Sequence, residues 1–301
     1  METPTKKTQL TELLANDTLG RVEKMRLLSR RKFTNKSHGE HLSGKGGTST
    51  EFSDYRNYVA GDDVRYVDWN IFSRLGRPYM KQYRHEEEMH VVIIVDASSS
   101  MMFENKFTLA KQLATALGIM SIMSLERLSI YGCHMQGLHP FQLPPCSGRT
   151  SLKRLLAFME GLEGGGDQPI DQAVESVLRT HRGRGICVLL SDFLTLGDLS
   201  KSFNMLYSRG LEVMGLQVLG PSEIHPDLTG DIRLVDSEYG STLDISSAGD
   251  LLELYQEHRL ALEEQLALQC RQRSGRFLSI NSETTVEQIL FDLLRREGWV
   301  Q

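Results

Sequence analysis

Strand-length apolar runs that alternate with helical patterns constrain the fold of this chain more than any other feature of its sequence. The runs at residues 91–95, 185–193 and 211–219 are far shorter than the roughly 20 apolar residues that cross a bilayer, and they have the length of buried strands. Residues 107–125 and 199–209 place apolar side chains at helical spacing between them. Because strands that alternate with crossover helices form parallel sheets covered on both faces, we predict an α/β fold with a mostly parallel central sheet flanked by helices.

The remaining pattern extends this alternation and divides the chain in two. We predict an N-terminal extension over residues 1–85 and an α/β domain over residues 86–301. A last helix opens on the capping box Thr284-x-x-Glu287. The other predicted segments are a strand at 127–133, helices at 152–162 and 170–180, a small β-hairpin at 231–236 and 241–245 with its turn at Tyr239-Gly240, a helix at 251–273 and a strand at 276–280.

The N-terminal extension combines basic and aromatic side chains. Residues 21–45 hold eight lysines and arginines against two glutamates. Such a run is either a solvated helix face or a docking surface for an acidic partner, and both readings stay open. The aromatic side chains of residues 51–90 predict a segment that packs onto another part of the protein.

Composition narrows the classes of partner and the compartment. The chain has 301 residues, with 34 basic and 39 acidic side chains and a formal net charge of -5, which argues against nucleic acid as the main partner. The polar N-terminus lacks the apolar segment of a signal peptide. Four cysteines are scattered without a C-x-x-C pair, so neither zinc nor a disulfide framework is indicated. We expect a protein of the reducing cytoplasm.

One loop contains the candidate ligand-binding residues of the sequence. The run at residues 91–95 leads directly into Asp96-x-Ser98-x-Ser100, and Asp192 follows the apolar run at 186–190 in the same way. If the two strands are neighbours, Asp96 and Asp192 meet at the same edge of the sheet. Ligands of open parallel sheets bind beyond the carboxyl ends of strands, where the strand order reverses. A carboxylate and two hydroxyls in one tight loop suit a hard cation such as Mg²⁺, with Mn²⁺ or Ca²⁺ as alternatives. The competing interpretation is a capping loop, since Asp and Ser are ordinary turn residues.

Two motifs resemble known families. Asp96-x-Ser98-x-Ser100-Met101 resembles the metal-ion-dependent adhesion site of von Willebrand factor A domains. Glu51-Phe52-Ser53-Asp54-Tyr55-Arg56-Asn57-Tyr58, with Gly61-Asp62-Asp63-Val64-Arg65-Tyr66-Val67-Asp68-Trp69, resembles the bacterial family called domain of unknown function 58. The resemblance implies a Rossmann-like six-stranded sheet of the von Willebrand factor A type. It also implies pairing with a MoxR-type AAA+ ATPase. Members of this family can carry N-terminal membrane helices, and since this sequence shows none we expect a soluble member.

The resemblance further implies the roles of the site residues. Ser98 and Ser100 would bind the metal directly, Asp96 and Asp192 would support them, and an acidic side chain of the partner would complete the shell. The family's threonine, in a Gly-Gly-Thr loop, is absent here, where the loop reads Gly164-Gly165-Gly166-Asp167. Either Asp167 ligates in its place, or the site is degenerate and holds no metal.

These observations lead to three functional hypotheses, ranked in this order. The first is an interaction module, not an enzyme and without catalytic residues, in which a metal receives a carboxylate from the ATPase or its client. The second is a structural adaptor with a degenerate site that binds through the basic N-terminal segment. The third is a metal-dependent hydrolase built on the same carboxylates. The Gly61-Asp62-Asp63-x-Arg65-x-x-Asp68-Trp69 motif is either catalytic or a salt-bridged structural knot.

Overall fold

A computed structural model describes the chain as two compact units. It describes residues 9–30, 34–35, 50–86, 89–133, 140–195, 197–226, 232–235, 242–245 and 248–301. The larger unit comprises Met1–Arg31 with Met89–Gln301, and the smaller unit comprises Lys32–Glu88. The predicted boundary at residues 85 and 86 lies close to the junction at 88 and 89, whereas residues 10–30 group with the α/β part of the chain.

The larger unit is built on a six-stranded sheet. Its strands are β4 (His90–Asp96), β5 (Arg127–Cys133), β6 (Phe141–Cys146), β7 (Gly185–Ser191), β8 (Leu211–Leu219) and β11 (Arg276–Asn281). All neighbouring strands run parallel except the edge pair β5 and β6, which confirms the predicted mostly parallel sheet. Across the sheet the order is β11-β8-β7-β4-β5-β6, so the strand order reverses between β4 and β7.

Helices cover both faces of this sheet, as predicted. Every residue of β7 and β8 is buried, because apolar side chains on both sides of these strands pack against helices. One face carries α1 (Asn16–Val22), α3 (Lys106–Met123), α4 (Leu152–Glu160) and a helical run formed by α9 (Val286–Gln288), a π-helical turn (Ile289–Leu293) and α10 (Leu294–Arg296). The other face carries α5 (Ile170–Thr180), α6 (Leu199–Ser208) and α8 (Ala248–Gln272), and the short α7 (Pro221–Ile224) follows β8.

The segment before residue 31 is part of the core of the larger unit. Leu19 and Val22 of α1 are buried in the same cluster as α3. Leu27 pairs with Val300, and the buried Arg276 bonds to Glu212 at 3.0 Å and to the carbonyl of Leu28. These contacts explain why residues 10–30 group with the sheet.

The smaller unit is a three-stranded antiparallel sheet with one short helix. Its strands are β1 (Thr34–Asn35), β2 (Thr50–Asn57) and β3 (Tyr79–Glu86) in the order β1-β3-β2, and its helix is α2 (Trp69–Leu75). The Gly61 to Trp69 motif lies between β2 and α2. Asp62 forms a bidentate ion pair with Arg56 at 2.6 and 2.8 Å. The motif therefore has the ion pairs of a structural knot, formed within its own unit.

Several details differ from the prediction. Strand β6 was not predicted; it contains Pro144 and Pro145, which an antiparallel edge strand tolerates. The capping box lies one residue later than predicted, since the Thr285 hydroxyl accepts from Gln288 N and the Gln288 side chain bonds back to Thr285 N. The predicted hairpin is present as β9 (Ile232–Val235) paired with β10 (Thr242–Ile245), while its predicted turn lies outside the described residues.

Candidate functional site

The candidate site lies where the strand order reverses, at the carboxyl ends of β4 and β7. The two strands pair in parallel up to Val95 and Leu190, so the next residues, Asp96 and Ser191, lie side by side. The Ser191 hydroxyl donates to Asp96 Oδ2 at 2.5 Å, and Asp192 follows directly. The prediction that the two strand-end carboxylates meet at one edge of the sheet therefore agrees with the structure.

The loop after β4 brings its two hydroxyls together. Asp96 Oδ1 accepts from the Ser98 backbone N–H at 2.9 Å, a local turn in which an aspartate side chain replaces a backbone acceptor. A 3₁₀ turn, Ser99–Met102, follows. As a result, Ser98 Oγ and Ser100 Oγ lie 3.1 Å apart, close enough to bind one small ion together.

A glycine-rich loop closes against this turn. The backbone N–H groups of Gly165 and Gly166 donate to the carbonyl of Ala97 at 2.8 and 3.2 Å, and Ser99 N donates to the carbonyl of Gly166 at 2.7 Å. A Cβ at Gly164 would lie 2.3 Å from Met102 Cε, and Gly165 has a φ of +100°. The positive φ therefore favours glycine at position 165, whereas a Cβ at position 164 would require only the flexible Met102 side chain to move.

A small cavity opens between these elements. Its volume is about 10 Å³, which is near the space that one water molecule needs. The cavity brings together four of the five predicted ligands. It is lined by Asp96, Ser98, Ser100, Gln168, Pro169, Ile170, Ser191, Asp192, Leu194 and Thr195.

Asp167, the fifth predicted ligand, does not line the cavity. Its side chain is exposed, whereas the next residue, Gln168, is 3% exposed and lines the cavity. The family pattern pointed to the position directly after the glycines. The fold instead turns the following side chain inward, just before the proline that opens α5.

A fully buried lysine, which the sequence did not indicate, binds the second carboxylate. Lys106 Nζ lies 3.0 Å from Asp192 Oδ2 and 2.6 Å from Glu223 Oε1. Burial lowers the pKa of Lys106, but the carboxylates of Asp192 and Glu223 outweigh it, so the pKa is raised above its ordinary value. Only the three-dimensional structure joins these groups, because Glu223 lies 117 residues beyond Lys106 along the chain.

The electrostatics of the cavity favour a cation. Burial, and then the negative charge of Asp192, raise the pKa of Asp96 to about 6, although hydrogen bonds from Ser191 and Ser98 oppose the shift. A cation beside Asp96 would offset both causes. Among the described residues no group of three or more His, Cys, Asp or Glu is placed to hold a metal. An ion at this site would therefore depend on hydroxyl and amide oxygens as well as carboxylates.

A test of that fit is whether the cavity contains an acceptor that the protein leaves unsatisfied. Gln168 Oε1 is buried, and it has no hydrogen-bond partner among the described residues. With the two serine hydroxyls and two carboxylates, it completes a set of oxygen donors of the kind that Mg²⁺ and Ca²⁺ prefer. The residues present thus fit a hard cation.

The surroundings of the cavity are apolar and exposed. Met102 is 41% exposed, Phe103 is 58% exposed and Leu194 is 41% exposed. Met102 and Phe103 directly follow the serine loop, and Leu194 lines the cavity itself. Exposed apolar side chains grouped at a polar site are typical of a surface that binds another protein. In the part of the chain that is described, no helix is both long and apolar enough to span a membrane.

Comparisons with known proteins identify relatives without a known function. The family described as "Protein of unknown function DUF58" matches residues 54–263. An uncharacterized protein of Mycobacterium tuberculosis is 29% identical over 216 residues, which cover 69% of this chain and 67% of that protein.

Two solved structures are also similar. The conserved hypothetical protein BatB from Bacteroides thetaiotaomicron has a TM-score of 0.43 at 16% identity, covering 70% of this chain and 98% of its own. An aerotolerance-related membrane protein from Bacteroides fragilis has a TM-score of 0.40 at 17% identity, covering 69% and 99%.

Proposed function

Since this chain belongs to the DUF58 family, we propose a function from its own site: it is a protein-interaction module of the von Willebrand factor A type that uses a bound Mg²⁺ ion to receive an acidic side chain of a partner. The observation that carries the proposal is the convergence of the Ser98 and Ser100 hydroxyls, 3.1 Å apart, on a cavity that Asp96 and Asp192 also line. Mn²⁺ or Ca²⁺ could substitute for Mg²⁺, because these ions share the preference for oxygen.

Each residue of the cavity has a defined part in this function. Ser98 and Ser100 present their hydroxyl oxygens to the ion directly. Asp96 is fixed by Ser98 N and Ser191 Oγ, so it orients the serine loop and acts on the ion through water. Asp192 supplies a second carboxylate, which Leu194 N and Lys106 Nζ hold in place. When bound, the ion supplies a positive charge that a carboxylate of the partner can coordinate.

We propose that the protein binds other proteins and is not an enzyme. The cavity, with a volume of about 10 Å³, has room for an ion or a water molecule. The exposed Met102, Phe103 and Leu194 then pack around the partner's acidic residue. We propose a MoxR-type AAA+ ATPase, or a protein that it acts on, as the partner, in keeping with the family resemblance. The four cysteines are all free and buried, which supports a reducing cytoplasm as the compartment.

Metal titration tests this proposal. Isothermal titration calorimetry with Mg²⁺ and Mn²⁺ should detect binding to the wild type, and the double variant Ser98→Ala, Ser100→Ala should lose it. Ser99→Ala is the matched control, because the Ser99 hydroxyl bonds to the carbonyl of Gly166 and does not line the cavity. Absence of any metal binding by the folded wild type would reject the proposal.

One observation favours a second function, an adaptor whose site holds no metal. The ammonium of Lys106 already neutralises Asp192, so the need for a metal at that carboxylate is reduced. Docking would then depend on the basic N-terminal segment, of which Arg30 is exposed and Arg31 and Lys32 lie outside the described residues. Charge reversal at Arg30, Arg31 and Lys32 would abolish pull-down of the ATPase, while the serine double variant would bind it like the wild type.

A further inference from the structure

Gln168 is the polar side chain of the cavity that the sequence did not assign to the site. It is buried to all but 3% of its surface. The residue lines the cavity, and its buried Oε1 atom has no hydrogen-bond partner in the part of the chain that is described. Because a buried amide oxygen without a partner is unfavourable, native proteins satisfy such atoms with an ordered water or an ion.

The fold holds Gln168 in this position from both sides. On its N-terminal side, Gly166 forms a bridge with Ser98, so the backbone of the glycine loop is fixed against the serine loop. On its C-terminal side, Pro169 restricts the backbone of Gln168 to extended conformations and forms the N-cap of α5. The backbone on both sides of Gln168 is therefore fixed, and the residue is held at the wall of the cavity.

We infer that Gln168 Oε1 is a direct ligand of the cation, beside the hydroxyls of Ser98 and Ser100. This inference rests on the proposed metal site. It assigns to an amide oxygen the position that the family resemblance gives to a threonine, and it excludes the exposed Asp167 from that role. Three neutral oxygens of the protein then leave about three positions of a six-coordinate ion for water or for the carboxylate of a partner.

The choice of an amide has a consequence for affinity. An amide oxygen adds no negative charge to a cavity that already contains Asp96 and Asp192. Replacing it by a carboxylate at the same place would strengthen the attraction for a divalent ion. Glutamine therefore keeps the metal exchangeable, and Gln168→Glu should bind Mg²⁺ more tightly than the wild type.

The test compares four variants by two measurements. Gln168→Met keeps the length of the side chain without the oxygen, Gln168→Ala shortens it, Gln168→Glu adds charge, and Asp167→Ala is the neighbouring control. Calorimetry with Mg²⁺ and Mn²⁺ gives affinities. The luminescence lifetime of bound Tb³⁺, compared in H₂O and D₂O, gives the number of coordinated waters. Circular dichroism and thermal melting verify that each variant is folded.

We expect Gln168→Met and Gln168→Ala to weaken Mg²⁺ binding about tenfold or more and to gain one coordinated water, as loss of a ligand requires. Asp167→Ala should stay within about twofold of the wild type in affinity, with unchanged hydration. Wild-type affinity and hydration in folded Gln168→Met would overturn the inference while leaving the metal site intact. Weaker binding in Asp167→Ala alone would also overturn it. If the wild type binds none of the three ions, the proposed function itself fails.

Discussion

Aspartates in the two units of this protein lie in opposite environments. In the smaller unit, Asp62 binds Arg56 and Asp68 binds Lys81 while capping α2. The hydrogen bond from Arg56 lowers the pKa of Asp62, and the backbone N–H of Ile71 lowers that of Asp68. In the larger unit, Asp96 accepts hydrogen bonds from Ser191 and Ser98, and burial raises its pKa.

The difference separates structural carboxylates from one that is suited to bind a ligand. A carboxylate with arginine or lysine beside it is already neutralised and stabilises the fold. A buried carboxylate next to a second carboxylate lacks that compensation, and a cation could supply it. Asp192 is intermediate, since it lines the same cavity but has Lys106 as an internal cation. The following predictions test this contrast.

Removing the ammonium group of Lys106 should have the largest effect on stability. Lys106→Met leaves Asp192 and Glu223 without their shared ammonium in a buried region, which we expect to destabilise the protein by about 3–5 kcal/mol in urea unfolding. Lys201→Met, which breaks the exposed pair with Glu175, should change little. Mg²⁺ should restore part of the loss in Lys106→Met if the ion and the ammonium compensate the same carboxylate. An unchanged unfolding free energy would show that Lys106 is not the compensating charge.

Neutralising Asp96 should stabilise the protein in the absence of metal. Since the folded-state pKa of about 6 lies above the ordinary value of 3.8, the folded protein binds the proton more tightly than the unfolded chain. Wild-type stability is therefore fully present below about pH 4 and declines as the pH rises towards 6. Asp96→Asn lacks this decline, so it should be more stable by about 3 kcal/mol at pH 7 and nearly equal at pH 4. A pH series of chemical denaturation measures the difference, and a destabilised variant at pH 7 would contradict the assignment.

In the smaller unit, replacing an aspartate should destabilise the protein instead of stabilising it. Asp68 caps α2 through bonds from Asn70 N and Ile71 N at 2.9 and 3.1 Å, so Asp68→Ala should destabilise the helix. We expect about a fivefold increase in the rate of proteolysis within residues 54–81, a typical effect of losing a helix N-cap. Asp68→Asn retains a capping oxygen and should behave more like the wild type. Faster proteolysis in Asp68→Asn than in Asp68→Ala would mean that the charge, and not the cap, matters.

A carboxylate outside both groups should have the smallest effect on metal binding. Burial raises the pKa of Glu126 to about 8, and its Oε2 is buried without a partner among the described residues. The stability that a protonated Glu126 confers is lost between about pH 5 and pH 8, so Glu126→Gln should be more stable than the wild type at pH 8, by up to about 4 kcal/mol. Metal affinity should not change, because Glu126 does not line the cavity. Altered Mg²⁺ binding in this variant would show that a raised pKa alone does not mark the site.

Sequence patterns predicted the parts of the site that depend on strands. The ends of two apolar runs are visible in the sequence, and parallel pairing brings Asp96 and Asp192 to the same edge. The hydroxyl pair follows from the spacing of Ser98 and Ser100 in one turn. In each case the position of the residue in the sequence was enough to predict where its side chain lies, because a strand or a tight turn has a regular geometry.

The rest of the site depends on packing between distant segments. Nothing in the local pattern separates Asp167 from Gln168, since the backbone contacts of the glycine loop decide which of them is buried. Lys106 looks like an ordinary polar residue at a helix start, and Glu223 belongs to a helix of four residues. Their ion pair arises only when α3 and the end of β8 meet.

The prolines of β6 affect whether two copies of this protein can pair through the edge of the sheet. An outermost strand normally presents unpaired N–H groups to which a foreign strand can be added. Pro144 and Pro145 occupy exposed positions of β6 and have no N–H to offer, so this flank is a poor template for intermolecular pairing. Pairing of two copies of the chain through β6 is therefore disfavoured.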